Sequence, residues 1–215
     1  MVLHYVTAYQ LLHRVVKAEP TERVLVHEAA GGVGLAILQL GLLHGLQLFG
    51  TATHSGLSTV RSLGGVPIDS SCEDVTELLR VFGGVDAALD PIGGWNWVRS
   101  YRALRSQGRL AGYGGRCATS HRKTSKPMVA LSFILLGFLK AIPDSKSVRW
   151  YSIRKSKAKW PGYFRQDLDA VFALLAAKKI QPIIAERLQL GDVVRAHDLL
   201  EHGHVSGELV LLCEA

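Results

Sequence analysis

The residues of this 215-residue chain best placed to do chemistry are Ala29-Ala30-Gly31-Gly32-Val33-Gly34. They lie between the β-rich run Arg23–His27 and a strongly apolar helical stretch, Val33 to about His44. The spacing matches G-x-G-x-x-G with Ala29 replacing the first glycine. A strand, a tight glycine turn and a helix start present free backbone N–H groups and the positive end of a helix dipole to a pyrophosphate. In that arrangement Gly31 lets the backbone approach the phosphates, and Gly34 lets the helix pack closely on the strand. A structural turn with no ligand remains the alternative. Beyond the second strand the segment Thr51–Ser58 holds no acid. Thr53, His54 and Ser55 offer hydrogen-bond donors there, and Arg61 follows one helical turn later. An acid at this place selects the ribose hydroxyl of NAD, so its absence favours NADP(H) over NAD(H). An ordinary polar loop is the alternative.

Other reactive side chains carry less. Asp90 follows the fourth expected strand and reads as the cap of the turn Pro91-Ile92-Gly93-Gly94, ahead of a general base. Cys117 follows a strand end, but no neighbour in sequence marks it as an activated thiolate. Cys72, Cys117 and Cys213 are far apart and odd in number, which fits a reducing, cytoplasmic setting and no disulfide framework. His202-Gly203-His204 ends a helix and reads as a solvated end ahead of a metal site. Ser55 and Ser58 lack the G-x-S-x-G elbow of a hydrolase. No catalytic residue and no metal ligand is assigned.

The elements that must position the glycine turn alternate in βαβ fashion. A helix over 3–17 stops at Glu19-Pro20. Strands are expected at 23–27, 46–51, 66–68, 85–89 and 109–113, with helices at 33–44, 58–63, 72–82 and 95–104 between them. Gly45, Gly64-Gly65 and Gly83-Gly84 end three of those helices. Past a less regular stretch, 167–178 is a helix whose buried face is Leu168, Val171, Phe172, Leu174 and Leu175. A run at 183–187, a helix at 192–202 and a final run at 208–213 close the chain. The reading is a single α/β domain.

The formal charge is +7. Residues 121–165 hold eleven basic side chains and one acid, Asp144, so that window is +10 and the other 170 residues are −3. General nucleic-acid affinity is therefore a poor expectation. The window itself admits three readings. The preferred one is structural, with Val148–Ile153 as an edge strand. Its apolar part, Met128–Ile142, suits an anionic membrane surface. Its Trp150-Tyr151 and Lys159-Trp160 pairs suit stacked bases. The longest uncharged apolar run, Met128–Leu139, is too short to span a bilayer as a helix.

Taken together, these residues resemble the medium-chain dehydrogenase/reductase superfamily in its zinc-independent, quinone oxidoreductase-like branch. The resemblance rests on Leu3–Leu12, on Val24–Gly34 with Gln39-Leu40, and on Asp90–Gly94. Gly108-Arg109-Leu110 and the closing Ala196-His197 and Gly207–Val210 continue it. It implies a Rossmann domain, a doubly wound six-stranded parallel sheet with helices on both faces, that binds NADP(H). It further implies hydride transfer to a quinone, an enone or a similar activated double bond, and a homodimer. In the basic window it implies a variable substrate-cleft and subunit-contact region, on which the preference for the structural reading there rests. Carried over by position, Gly31, Gly32, Val33 and Gly34 fall on the pyrophosphate turn and Thr7 near the nicotinamide. Thr53 to Ser55 fall near the adenosine ribose, and Ile92, Gly93, Tyr113 and Gly114 on loops along the cofactor.

The chain also departs from that family. Relatives usually carry glycine where Glu28 stands. A carboxylate aimed at pyrophosphate opposes binding, so Glu28 is expected to face away or to weaken affinity. The lysine and tyrosine that often accompany NADP in relatives are replaced by Gly56-Leu57-Ser58 and Ser70. The GroES-like catalytic domain of the family has no counterpart in these residues. Residues 1–20 and about 181–215, which pack against it in relatives, are expected to expose apolar surface. The chain alone is then expected to be inactive. A non-catalytic nucleotide-binding or scaffold domain that self-associates is the alternative function.

Overall fold

A computed structural model describes residues 2–72, 74–114, 126–201, 205 and 207–213. Cys117, His202-Gly203-His204 and the start of the basic window lie outside the described residues.

The expected doubly wound sheet is present. Six parallel strands run in the order β3-β2-β1-β4-β5-β6, where β1 is Arg23–Val26, β2 Gln47–Ala52, β3 Val66–Asp69, β4 Val85–Asp90, β5 Leu104–Tyr113 and β6 Ser147–Tyr151. Period-two alternation divides the side chains between two cores. Val24, Val26, Leu48, Ala87, Leu89, Ala111 and Tyr151 face one, and Leu25, Phe49, Val85, Ala88, Leu110 and Val148 face the other. Helices α1 (Val2–Gln10), α2 (Gly32–Leu43), α3 (Leu57–Ser62) and α8 (Pro161–Ala176) close the first core. Helices α4 (Val75–Val81), α5 (Trp95–Ala103) and α6 (Lys126–Ala141) close the second. Helix α7 (Ile153–Lys159) leads from β6 into α8. Strands β7 (Ile184–Gln189) and β8 (Glu208–Leu212) pair in a separate parallel ribbon, with α9 (Val193–Glu201) between them.

Four local features differ from the sequence expectation. The first helix does not run evenly to Lys17. It passes after Gln10 into a π-helical turn, Leu11–Val15, closed by Val16 N–H donating to the Leu11 carbonyl at 3.0 Å. Helix α4 starts at Val75 instead of Cys72, because the Asp74 carboxylate accepts from the N–H groups of Thr76 and Glu77 and so fixes the start. The basic window is regular where its composition suggested otherwise: α6, β6, α7 and the first turn of α8 occupy its described part. In α8 Val171, Leu174 and Leu175 face the core as expected, with two exceptions on the helix. Phe172 is exposed, whereas Asp167 is buried because Arg14 and Gln10 both donate to it.

Leu3, Leu190, Val194 and Leu200 are all more than half exposed. Along α6, Leu131, Ile134 and Phe138 form an exposed apolar stripe.

Candidate functional site

The carboxyl ends of the sheet's strands open into a cavity of about 470 Å³. Its floor is the turn from β1 to α2. Gly31, in extended backbone at φ −80° and ψ 167°, is the residue that caps α2, and no side chain caps the helix there. The first N–H groups of α2 are therefore not satisfied by a capping side chain and lie at the cavity wall, where Gly32, Val33 and Gly34 line it. An anion is the ligand such a terminus accepts most readily.

The glycines have separate physical causes. A side chain at Gly34 would run into the Glu28 carbonyl and come within 2.6 Å of the Ala29 Cα, so the helix meets the strand too closely for anything but glycine. At Gly32 the obstacle is the His4 ring, 2.5 Å from the position of a Cβ. Gly31 is freer: its nearest obstacle is the Glu28 carbonyl at 3.3 Å.

Seven of the thirteen positions assigned from sequence converge on this cavity: Thr7 from α1, Gly31 to Gly34, and Tyr113 and Gly114 at the end of β5. Thr7 and Tyr113 are buried. Tyr113 is held well above the usual phenol range by burial, then by the nearby carboxylates of Glu28 and Asp90. It keeps its proton near neutral pH.

The other six stand apart from the cavity. Thr53, His54 and Ser55 are exposed beyond β2, and Arg61 is exposed on α3. Ile92 lines a separate polar hollow with Ser70, Asn96 and Arg99, and Gly93 is buried in the turn after β4. That turn is fixed by Asp90, which is fully buried. Its Oδ1 accepts from the N–H groups of Ile92 (2.8 Å) and Gly93 (3.1 Å), and its Oδ2 from Asn96 (2.8 Å) and Ser100 (2.7 Å). Four donors leave Asp90 as a cap, as expected.

Several residues at the site were not singled out from sequence. Leu3, His4, Pro91 and the run Trp150–Arg154 line the cavity. The last run was legible in principle, because it follows the carboxyl end of an edge strand, where open α/β sheets bind ligands. Glu28 also lines the cavity, and its backbone is left-handed, at φ +52°. Asp69 was hidden by chain distance. It ends β3 in register with Ala52 of β2, and its Oδ2 lies 3.8 Å from His54 Nδ1. An acid therefore stands beside the loop after β2 although that loop's own sequence has none. Hydrogen bonds from the Ser71 hydroxyl and N–H hold the Asp69 carboxyl below its usual range.

A buried polar relay lies behind the turn. His27 Nε2 is 2.9 Å from Ser100 Oγ, which donates to Asp90, and His27 Nδ1 is 3.2 Å from Thr51 Oγ1. It ties the ends of β1, β2 and β4 to α5. Among the described residues no group of three or more His, Cys, Asp or Glu comes together as a metal site, and no helix is long and apolar enough to cross a membrane.

Comparison with known proteins agrees with this geometry. The zinc-binding dehydrogenase family profile matches residues 65–211. A synaptic vesicle membrane protein VAT-1 homolog of Danio rerio is 30% identical over 220 residues, which cover 99% of this chain and 45% of that protein. The crystal structure of Escherichia coli quinone oxidoreductase complexed with NADPH superposes with a TM-score of 0.81 at 27% identity, covering 98% of this chain and 63% of that one. The CurK enoyl reductase structure gives 0.81 at 25% identity, covering 99% and 60%. The chain thus spans about half to three-fifths of the length of these relatives.

Proposed function

Because the chain belongs to the zinc-binding dehydrogenase family, in the quinone oxidoreductase-like branch of the medium-chain dehydrogenase/reductase superfamily, we propose that it is the nucleotide-holding part of an NADPH-dependent oxidoreductase. The observation that carries this reading is the uncapped start of α2 at the wall of the cavity beneath the strand ends. When bound, a nicotinamide dinucleotide supplies the hydride, here to a quinone, an enone or a similar activated double bond.

The chain's own residues bind and orient. The N–H groups at Gly32, Val33 and Gly34 take the pyrophosphate, and Gly31 keeps the approach open. Thr7, Tyr113 and Gly114 line the nicotinamide end, where Tyr113 donates from a neutral hydroxyl. Thr53, His54, Ser55 and Arg61 serve the adenosine phosphate, with His54 offset by Asp69. Ile92 and Gly93 lie along the adenosine side, in a turn shaped by Asp90.

Among the described residues lining the cavity, none is placed as the acid or base of a reduction. The 215 residues as they stand should therefore bind NADPH without turning over a quinone. Stopped-flow mixing of the NADPH-loaded chain with 9,10-phenanthrenequinone tests this: a flat trace at 340 nm (about the nicotinamide absorbance maximum) is expected, and steady NADPH consumption overturns it. A second copy of the chain is the favoured cover for the α6 stripe and the free edge of β6, giving a homodimer.

A further inference from the structure

A second hollow, of about 600 Å³, shares Trp150, Tyr151 and Ser152 with the nucleotide cavity and opens beside α7. Cations dominate its lining: Arg14, Lys17, Lys155 and Lys159, and no carboxylate lines it. One acid lies beneath, and it is already engaged. Asp167, 1% exposed, accepts from Arg14 Nε at 2.8 Å, from Arg14 Nη2 at 2.6 Å and from Gln10 Nε2 at 2.7 Å. Gln10 Oε1 in turn accepts from the hydroxyls of Tyr151 and Ser156, both at 2.8 Å. The floor is fixed and electrically settled. Among the described residues no carboxylate pairs with Lys17, Lys155 or Lys159, so the cavity keeps their charge.

Aromatic rings border the same cations. Trp160 and Tyr163 stack at 5.8 Å with 29° between their planes, and the Arg14 guanidinium lies 4.2 Å from the centre of the Tyr163 ring. Lys159 lies over Trp160. Both indole and phenol are about half exposed here.

The backbone is irregular at the same place. The π-turn Leu11–Val15 brings His13, Arg14 and Val15 together onto the cavity, and Lys17 beyond it is left-handed at φ +49°. Single π-turns and left-handed non-glycine residues cost stability and gather at ligand sites.

We propose that this hollow binds a small organic anion with a flat apolar body, of the aryl phosphate class. The phosphate is held by Lys17, Lys155 and Lys159, and the flat body lies against Trp160 and Tyr163. Neither element suffices by itself: the lysines alone would take any anion weakly, and the rings alone any flat molecule.

The test is a titration of the chain with 1-naphthyl phosphate, read as quenching of tryptophan fluorescence. Saturable binding is expected, with neutral 1-naphthol and inorganic phosphate each at least about tenfold weaker. The double variant Lys155→Glu, Lys159→Glu should weaken naphthyl phosphate about tenfold or more, and Gly31→Asp should leave it unchanged. Raising KCl should weaken naphthyl phosphate and spare naphthol, an arm that needs no variant to fold. Absence of saturation overturns the proposal. So does equal binding of naphthol, or binding lost in Gly31→Asp and kept in the lysine variant, which would put the probe in the nucleotide cavity.

Discussion

His54 Nδ1 stands 3.8 Å from Asp69 Oδ2, across the carboxyl ends of two adjacent parallel strands. In the proposed function this pair sets a basic and an acidic group against each other beside the adenosine ribose, where a 2′-phosphate and a 2′-hydroxyl are distinguished. Removing the acid should tip the balance toward phosphate. Asp69→Asn should raise the ratio of NADPH to NADH affinity by about threefold to tenfold, and His54→Ala should lower it. Parallel calorimetric titrations with the two nucleotides measure the ratio.

Glu28 gives a second prediction. It combines a left-handed backbone with a carboxylate at the cavity wall. Glu28→Gln keeps the backbone cost and removes the charge; Glu28→Gly removes both. Each should tighten NADPH, by about tenfold if the carboxylate faces the pyrophosphate. The glycine variant should also relieve about 1 kcal/mol of left-handed strain, less what glycine adds to the entropy of the unfolded chain. Affinities by calorimetry and urea midpoints separate the two effects.

The bond between Arg14 and Asp167 concerns stability. Asp167 is buried, accepts two-pronged donation from Arg14, and also satisfies Gln10. Asp167→Ala leaves the buried Gln10 amide and the partly exposed Arg14 without their acceptor and should cost about 2 kcal/mol. Asp167→Asn, which still accepts from Gln10, should cost less. Urea unfolding of the three proteins gives the order.

His27 makes stability depend on pH. Burial holds its pKa below the usual histidine range, against the opposing charge of Asp90. Below the ordinary histidine pKa of about 6.5 the unfolded chain takes up a proton that the folded chain refuses. Stability is therefore full above that pH and falls as the pH drops, by about 1.4 kcal/mol per pH unit for one group. His13, lowered mainly by burial and then by His44, adds in the same direction. His27→Gln should be less stable at pH 8 and show a shallower loss between about pH 6.5 and 5. An unchanged slope would remove His27 from the account.

Much of the fold was legible because the strands are short apolar runs and the helices between them end at glycines. Gly45, Gly64, Gly83 and Gly84 all take the left-handed conformation expected of helix ends. Gly34 was legible for the same reason, since its spacing from β1 forces a close approach to Ala29. The misses share another cause. Asp69 lies far from His54 along the chain and is brought to it only by strand pairing. Phe172 and Asp167 exchange the burial that periodicity assigns them, because two donors from the first helix satisfy a carboxylate that local pattern reads as solvent-facing. The π-turn depends on tertiary contacts and leaves no mark in hydrophobic spacing.

The central claim is that the uncapped start of α2 holds a dinucleotide. Gly31 has an ordinary negative φ, and a Cβ there would meet only the Glu28 carbonyl at 3.3 Å. A shift of a few tenths of an ångström relieves that contact, so Gly31→Asp should fold with some loss of stability while placing a carboxylate at the phosphate end. Isothermal titration of NADPH into the chain and into Gly31→Asp is the direct measurement. The account predicts saturable binding below about 1 mM for the first and none for a folded second. No binding to the unmodified chain, or equal binding to both, would contradict it.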